Sequence, residues 1–136
     1  MSTHQKDRLE KLLRTIDKLA EESAKGKLVV VEGKKDAQAL QEIGINGAFL
    51  MVKTGGKSFL EATCEIERLG VREVILLLDF DRRGIEGTRR LQSELERLKV
   101  KANVRFWLEL KALVRHEIQC IESLPSYLAS AQQKTA

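Results

Sequence analysis

Val74-Ile75-Leu76-Leu77-Leu78-Asp79-Phe80-Asp81 is an apolar run that ends in two acids spaced i, i+2. An unbroken aliphatic stretch of this length fits a strand buried on both faces, as in a parallel sheet. Side chains two apart on a strand point the same way. Asp79 and Asp81 are therefore expected to aim at one spot from the strand's carboxyl end, with Phe80 turned oppositely into the core. Arg82-Arg83-Gly84 follows as a turn into a helix.

A second run, Lys27-Leu28-Val29-Val30-Val31, ends in Glu32-Gly33 and delivers a third carboxylate. Gly33 is expected to permit close backbone approach and a tight turn into the next helix. Three acids at the tips of buried parallel strands repel one another unless something positive lies between them. Two bare charges about 4 Å apart oppose each other by roughly 4 kcal/mol at an effective dielectric near 20. A hard divalent cation resolves this most simply, and Mg²⁺ takes one or two carboxylates plus waters and substrate phosphates. Glu32, Asp79 and Asp81 thus read as a metal site for phosphate chemistry, with Mg²⁺ as the cofactor and Mn²⁺ as a substitute.

Working outward, the pattern alternates. An amphipathic helix over 5–24 carries Leu9, Leu12, Leu13, Ile16, Leu19 and Ala20 at helical spacing, to pack on the domain or on a second copy. Strands are predicted over 27–31, 48–52, 73–78 and 103–108, with helices over 35–43, 58–69 and 84–98 between them. Short helices follow around Pro125, and the small, polar tail from Ala129 is expected to fray. The fold class is α/β: a four-stranded, mainly parallel, Rossmann-like sheet flanked by helices, plus the N-terminal helix. The organisation expected is an N-terminal helix over 1–26, one domain over 27–124 and a C-terminal tail over 125–136. In such sheets ligands bind beyond the carboxyl ends of the strands, where the winding reverses. Glu32, Thr54-Gly55-Gly56 and Asp79/Asp81 all fall at such ends.

Composition narrows the class. The 136 residues are 43% hydrophobic and 32% charged, with a net charge of +4, ordinary for one soluble domain that is free to bind nucleic acid. No apolar stretch approaches the ~20 residues of a membrane span, and no signal-peptide pattern opens the chain, so the expectation is a cytoplasmic protein. Cys64 and Cys120 lack zinc-site spacing and read as plain buried or half-buried thiols.

Glu32-Gly33 after a hydrophobic strand, then Asp79-Phe80-Asp81 with Arg82 and Gly84, resembles the Toprim domain. Bacterial-type primases, type IA and type II topoisomerases, a recombination scaffold protein and the ribosomal-RNA maturation nuclease share that domain. Val31-Glu32-Gly33-Lys34-Lys35-Asp36 is most similar to the maturation nuclease and to small stand-alone, primase-like archaeal Toprim proteins, as is the segment from Glu117 to Pro125. The resemblance implies that Glu32 is a general acid or base or a metal ligand. It implies that Asp79 and Asp81 coordinate Mg²⁺ and that Arg82 contacts phosphate. Type IA topoisomerases carry a further acid where this chain has Arg83, and the single tyrosine, Tyr127, lies in the tail, which argues against topoisomerase chemistry.

Lys34, Lys35, Lys57, Arg82 and Arg83 are positioned to ring the acids and hold a nucleic-acid backbone, of RNA or DNA. Thr54-Gly55-Gly56-Lys57-Ser58 resembles the end of a P-loop, but that pattern needs glycine where Met51 stands. Trp107 reads as core, and His4 and His116 have no partners at ligand spacing. Two functions follow. The first is a Mg²⁺-dependent enzyme on phosphodiester bonds, nuclease-type or, as the other chemistry, a primase-like nucleotidyl transferase. Hydrolysis is favoured because no zinc-ribbon or polymerase segment accompanies the motifs. The second is a non-catalytic binding or scaffold module in an RNA- or DNA-processing complex, with the N-terminal helix available for self-association.

Overall fold

The computed structural model describes residues 3–52 and 59–135. Helix α1 (Thr3–Ala24) leads into strand β1 (Leu28–Val31), helix α2 (Lys34–Glu42) and strand β2 (Phe49–Met51). Helix α3 (Phe59–Leu69), strand β3 (Glu73–Leu76), helix α4 (Arg82–Arg97) and strand β4 (Lys101–Asn103) follow. Helix α5 (Arg105–Val114), a 3₁₀ turn (Ile121–Ser123) and helix α6 (Leu124–Thr135) complete the chain.

The four strands form one all-parallel sheet in the order β2-β1-β3-β4. Val30 sits between Leu50 and Leu76 in the register. Every β1 residue is buried, which is why the run carries no polar alternation. One face, through Val29, Val31, Ile75 and Leu77, packs on α1, α2, α5 and α6 by way of Leu12, Ile16, Leu40 and Leu110. The other, through Val30, Leu50, Val74 and Leu76, packs on α3 and α4 by way of Ala62, Ile66, Leu91 and Leu95. The chain steps from β1 outward to β2, then returns to the far side of β1 with β3. Winding therefore reverses between β1 and β3, and a crevice opens at their carboxyl ends.

Three expectations are corrected. The segment 103–108 is not a strand: β4 ends at Asn103 and α5 begins at Arg105. A short apolar run does not distinguish strand from helix by periodicity. Phe106, Trp107, Leu110 and Val114 are buried at helical spacing, and the Asn103 side chain accepts the Arg105 N–H to start the helix. The tail does not fray at Ala129: α6 continues to Thr135, held by Leu124 in the core and by Tyr127 and Leu128 packed against it. Cys64 is exposed rather than buried, while Cys120 is half-buried. The apolar stripe of α1 is spent on its own domain, with Leu12, Ile16 and Leu19 buried. No described helix is long and apolar enough to cross a membrane.

Candidate functional site

Glu32 stands one residue past β1 and is partly exposed. Its Oε2 accepts the backbone N–H of Asp79 at 2.8 Å, which ties the ends of the two central strands together. Beyond β3 the chain stays extended, with Leu77 N–H donating to the Val30 carbonyl at 2.8 Å. Asp79 is thereby carried to the level of Glu32. Phe80 turns into the core as expected, its ring centroid 6.2 Å from that of Trp107. Asp81 stands past the ladder with its backbone still extended and caps α4, its Oδ1 accepting the Gly84 N–H at 2.8 Å. Alternation along a strand therefore does not aim the two acids, because both lie past the ladder. They stay within electrostatic range of one another all the same.

The Asp79 carboxyl is pushed up to about 6, first by burial, with the charges of Glu32 and Asp81 adding to it and the Ile121 N–H opposing it. Asp36, which sequence reasoning did not include among the site residues, is a fourth acid here. It is 8% exposed. Burial and then the charge of Asp79 push it to about 6 as well, against hydrogen bonds from the backbone N–H groups of Gly33 and Glu122. Its position three residues after Gly33, with Oδ2 accepting the Gly33 N–H at 3.0 Å, is a first-turn signal that could have found it.

The glycines divide differently from expectation. Gly33 is extended, with φ −150° and ψ 176°, and a Cβ there would meet nothing nearer than Asp36 Oδ2 at 3.8 Å. The turn does not need glycine. Gly84 does need to be glycine, since a Cβ would stand 1.9 Å from the Asp79 carbonyl oxygen. The first turn of α4 packs directly on the backbone of the acid it follows.

Lys34 and Lys35 are exposed in the first turn of α2, beside Glu32, and Arg82 and Arg83 in the first turn of α4, beside Asp81. Arg82 Nε pairs with Glu86 Oε1 at 3.2 Å. Both helix N-termini open on the β1/β3 crevice, where free N–H groups favour anions. Lys57 and Thr54-Gly55-Gly56 lie outside the described residues.

The wall of the crevice comes from a part of the chain that motif reading did not connect to it. Phe80 N–H donates to the Gln119 carbonyl at 2.8 Å, and Ile121 N–H donates to Asp79 Oδ1 at 2.9 Å. Trp107 Nε1 donates to the Leu78 carbonyl at 2.9 Å from beneath. Each of these bonds has a backbone atom on at least one side, invisible in residue types.

Among the described residues no three His, Cys, Asp or Glu side chains form a ready-made metal cage. Glu32, Asp79 and Asp81 each give one oxygen to a backbone N–H, and a carboxylate so engaged keeps the lone pairs of its other oxygen. This donor set fits a cation that takes one or two carboxylates and fills its remaining positions with water and phosphate oxygens.

The Toprim domain profile matches residues 27–108. A UPF0292 protein of Methanocaldococcus jannaschii is 39% identical over 120 residues, covering 88% of this chain and 91% of that protein. A UPF0292 protein of Methanosarcina barkeri is 32% identical over 128 residues, or 94% and 87% of the two chains. Among solved structures, a protein from Aquifex aeolicus superposes with a TM-score of 0.66 at 24% identity, over 81% of this chain and 94% of that one, a likeness of fold.

Proposed function

This chain belongs to the Toprim domain family, and on that premise we propose that it is a Mg²⁺-dependent protein acting on phosphodiester bonds of nucleic acid, by cleavage. One observation carries the reading. Glu32, Asp79 and Asp81 lie past the ends of β1 and β3, where the charges of Glu32 and Asp81 act on a half-buried Asp79 carboxyl, while Lys34, Lys35, Arg82 and Arg83 stand exposed on the two helix turns beside them. An acidic centre inside a basic rim suits a cation and a phosphate backbone together.

In this reading Glu32, Asp79 and Asp81 hold the metal. When bound, the metal supplies activation of water and stabilisation of charge on the phosphate. The chain's own residues do the rest. Lys34, Lys35, Arg82 and Arg83 and the N-terminal N–H groups of α2 and α4 bind and orient the phosphate backbone. Glu32, through its bond to the Asp79 N–H, fixes the spacing of the two acid-bearing loops.

A second reading, a non-catalytic nucleic-acid-binding or scaffold module, draws on the structural employment of the same acids, with Asp81 capping α4. Asp81→Asn separates the two, because asparagine caps a helix as well as aspartate and removes only the charge. Wild type and Asp81→Asn are incubated with labelled structured RNA, single-stranded DNA and duplex DNA, in Mg²⁺, Mn²⁺ or EDTA. The expected result is metal-dependent cleavage by wild type and none by the variant, with binding largely kept. Binding without cleavage by wild type under every condition would overturn the enzymatic reading and leave the scaffold.

A further inference from the structure

The Toprim match ends at residue 108, yet residues 119–122 touch the acid loops at several points. Gln119 takes the Phe80 N–H on its carbonyl, at 2.8 Å. Ile121 sends its N–H to Asp79 Oδ1 at 2.9 Å. Asp36 faces the same segment, with the backbone N–H of Glu122 favouring its charged form and its Oδ2 holding the Gly33 N–H at 3.0 Å beside Glu32. Consecutive backbone N–H groups thus face two acids, one just past β3 and the other in the first turn of α2. Ile121 is fully buried and Leu124 nearly so, which locks the segment against the sheet through the core. Packing alone would need only those apolar side chains. Backbone donors directed at carboxylates of the crevice do something more, because they fix how each carboxylate is turned.

We propose that residues 119–122 form a strap that completes the metal site, with the Ile121 N–H and Asp36 as positioning groups that set the orientation of Asp79 and of the Glu32 turn. This inference rests on the metal reading above. A hydrogen bond to one oxygen of Asp79 stops the carboxylate from rotating and leaves the other oxygen for the cation. Asp36 joins the strap to Gly33, so the loops bearing Glu32 and Asp79 are held at one spacing. The centre is therefore built by a segment beyond the matched domain.

Proline at 121 tests it. Cys120 is extended, with φ −130° and ψ 146°, as a residue before proline should be, and Ile121 opens the 3₁₀ turn, where a proline is tolerated. Ile121→Pro removes the donor to Asp79. Ile121→Val keeps the donor and trims the packing. Mn²⁺ uptake by the full chain is read from the electron paramagnetic resonance signal of the free ion, with no substrate present. Ile121→Pro and Asp36→Ala should weaken Mn²⁺ binding by about 10-fold or more, the effect of removing hydrogen-bond partners of metal ligands. Ile121→Val should bind as wild type, and Asp36→Asn, which keeps an acceptor, should bind more tightly than Asp36→Ala. If Ile121→Pro does not fold, by circular dichroism, the Asp36 pair decides. Uptake by Ile121→Pro and Asp36→Ala equal to wild type would overturn the strap alone. An absence of uptake by wild type would overturn the metal reading and the strap with it.

Discussion

Gly84→Ala should be among the most damaging small substitutions in this chain, against the ordinary rule for helices. Gly84 lies in the first turn of α4, and alanine in a helix is favoured over glycine by about 1 kcal/mol. Geometry opposes this gain. The new Cβ would stand 1.9 Å from the Asp79 oxygen and 2.5 Å from its carbonyl carbon, where anything under 3.0 Å forces a shift. The obstacle is backbone, so no side chain can rotate away. One of the two segments must move by more than 1 Å. The Asp79 side is pinned by Glu32 and Ile121, and the Gly84 side by Asp81. Overpacking of this kind costs roughly 1–3 kcal/mol even where side chains yield, and here the hydrogen bonds at Asp79 are strained as well. The net loss should be at least about 2 kcal/mol. Urea unfolding followed by circular dichroism measures it, with an unchanged slope showing that stability rather than compactness has changed. Gly33→Ala is the matched control, since its Cβ meets nothing nearer than 3.8 Å and its backbone is extended. It should change stability by less than about 0.5 kcal/mol. Equal stability of Gly84→Ala and wild type would refute the close packing of α4 on the Asp79 backbone.

Trp107→Phe should cost about 1–3 kcal/mol in the same unfolding assay, because it leaves the Leu78 carbonyl without its indole donor in a buried setting. A neutral outcome would show that this bond does not hold the acid loop. Asp36 has a folded pKa of about 6 against an ordinary 3.8, so the folded state binds its proton more tightly than the unfolded chain. Its contribution is fully present below about pH 4 and is lost as pH rises through 6, by up to about 3 kcal/mol. Metal-free Asp36→Asn should therefore gain on wild type between pH 5 and 7 in thermal melts, and parallel curves would contradict the burial of a charged carboxylate. Lys34→Ala, Lys35→Ala and Arg83→Ala should each lower the log–log salt slope of nucleic-acid binding by about 0.7–0.9, the effect of one lost phosphate contact. Unchanged slopes would remove the basic rim from the interface.

The central strands were legible because burial on both faces leaves an unbroken aliphatic run in Leu28–Val31 and Val74–Leu78, each bounded by a turn into a helix. The helices α1 to α4 followed from periodicity, and Glu32, Asp79 and Asp81 from acids at strand ends. The segment 103–108 was misread as a strand because so few apolar residues carry no period of their own. Only the neighbours at Leu110 and Val114, buried by α1 and the sheet, make that segment a helix. The site divides the same way. Sequence alone marked Glu32, Asp79 and Asp81 as acids past strand ends, while the strand order that sets β1 beside β3, and the presence of Asp36 among these acids, belong to the tertiary structure. Tertiary structure decided what each acid does, because the partners that turn Asp79, Asp36 and Asp81 are backbone N–H groups of Ile121, Glu122, Gly33 and Gly84. Every residue but proline has such a group, so no residue type announces it, and only the folded path of the chain says where it points.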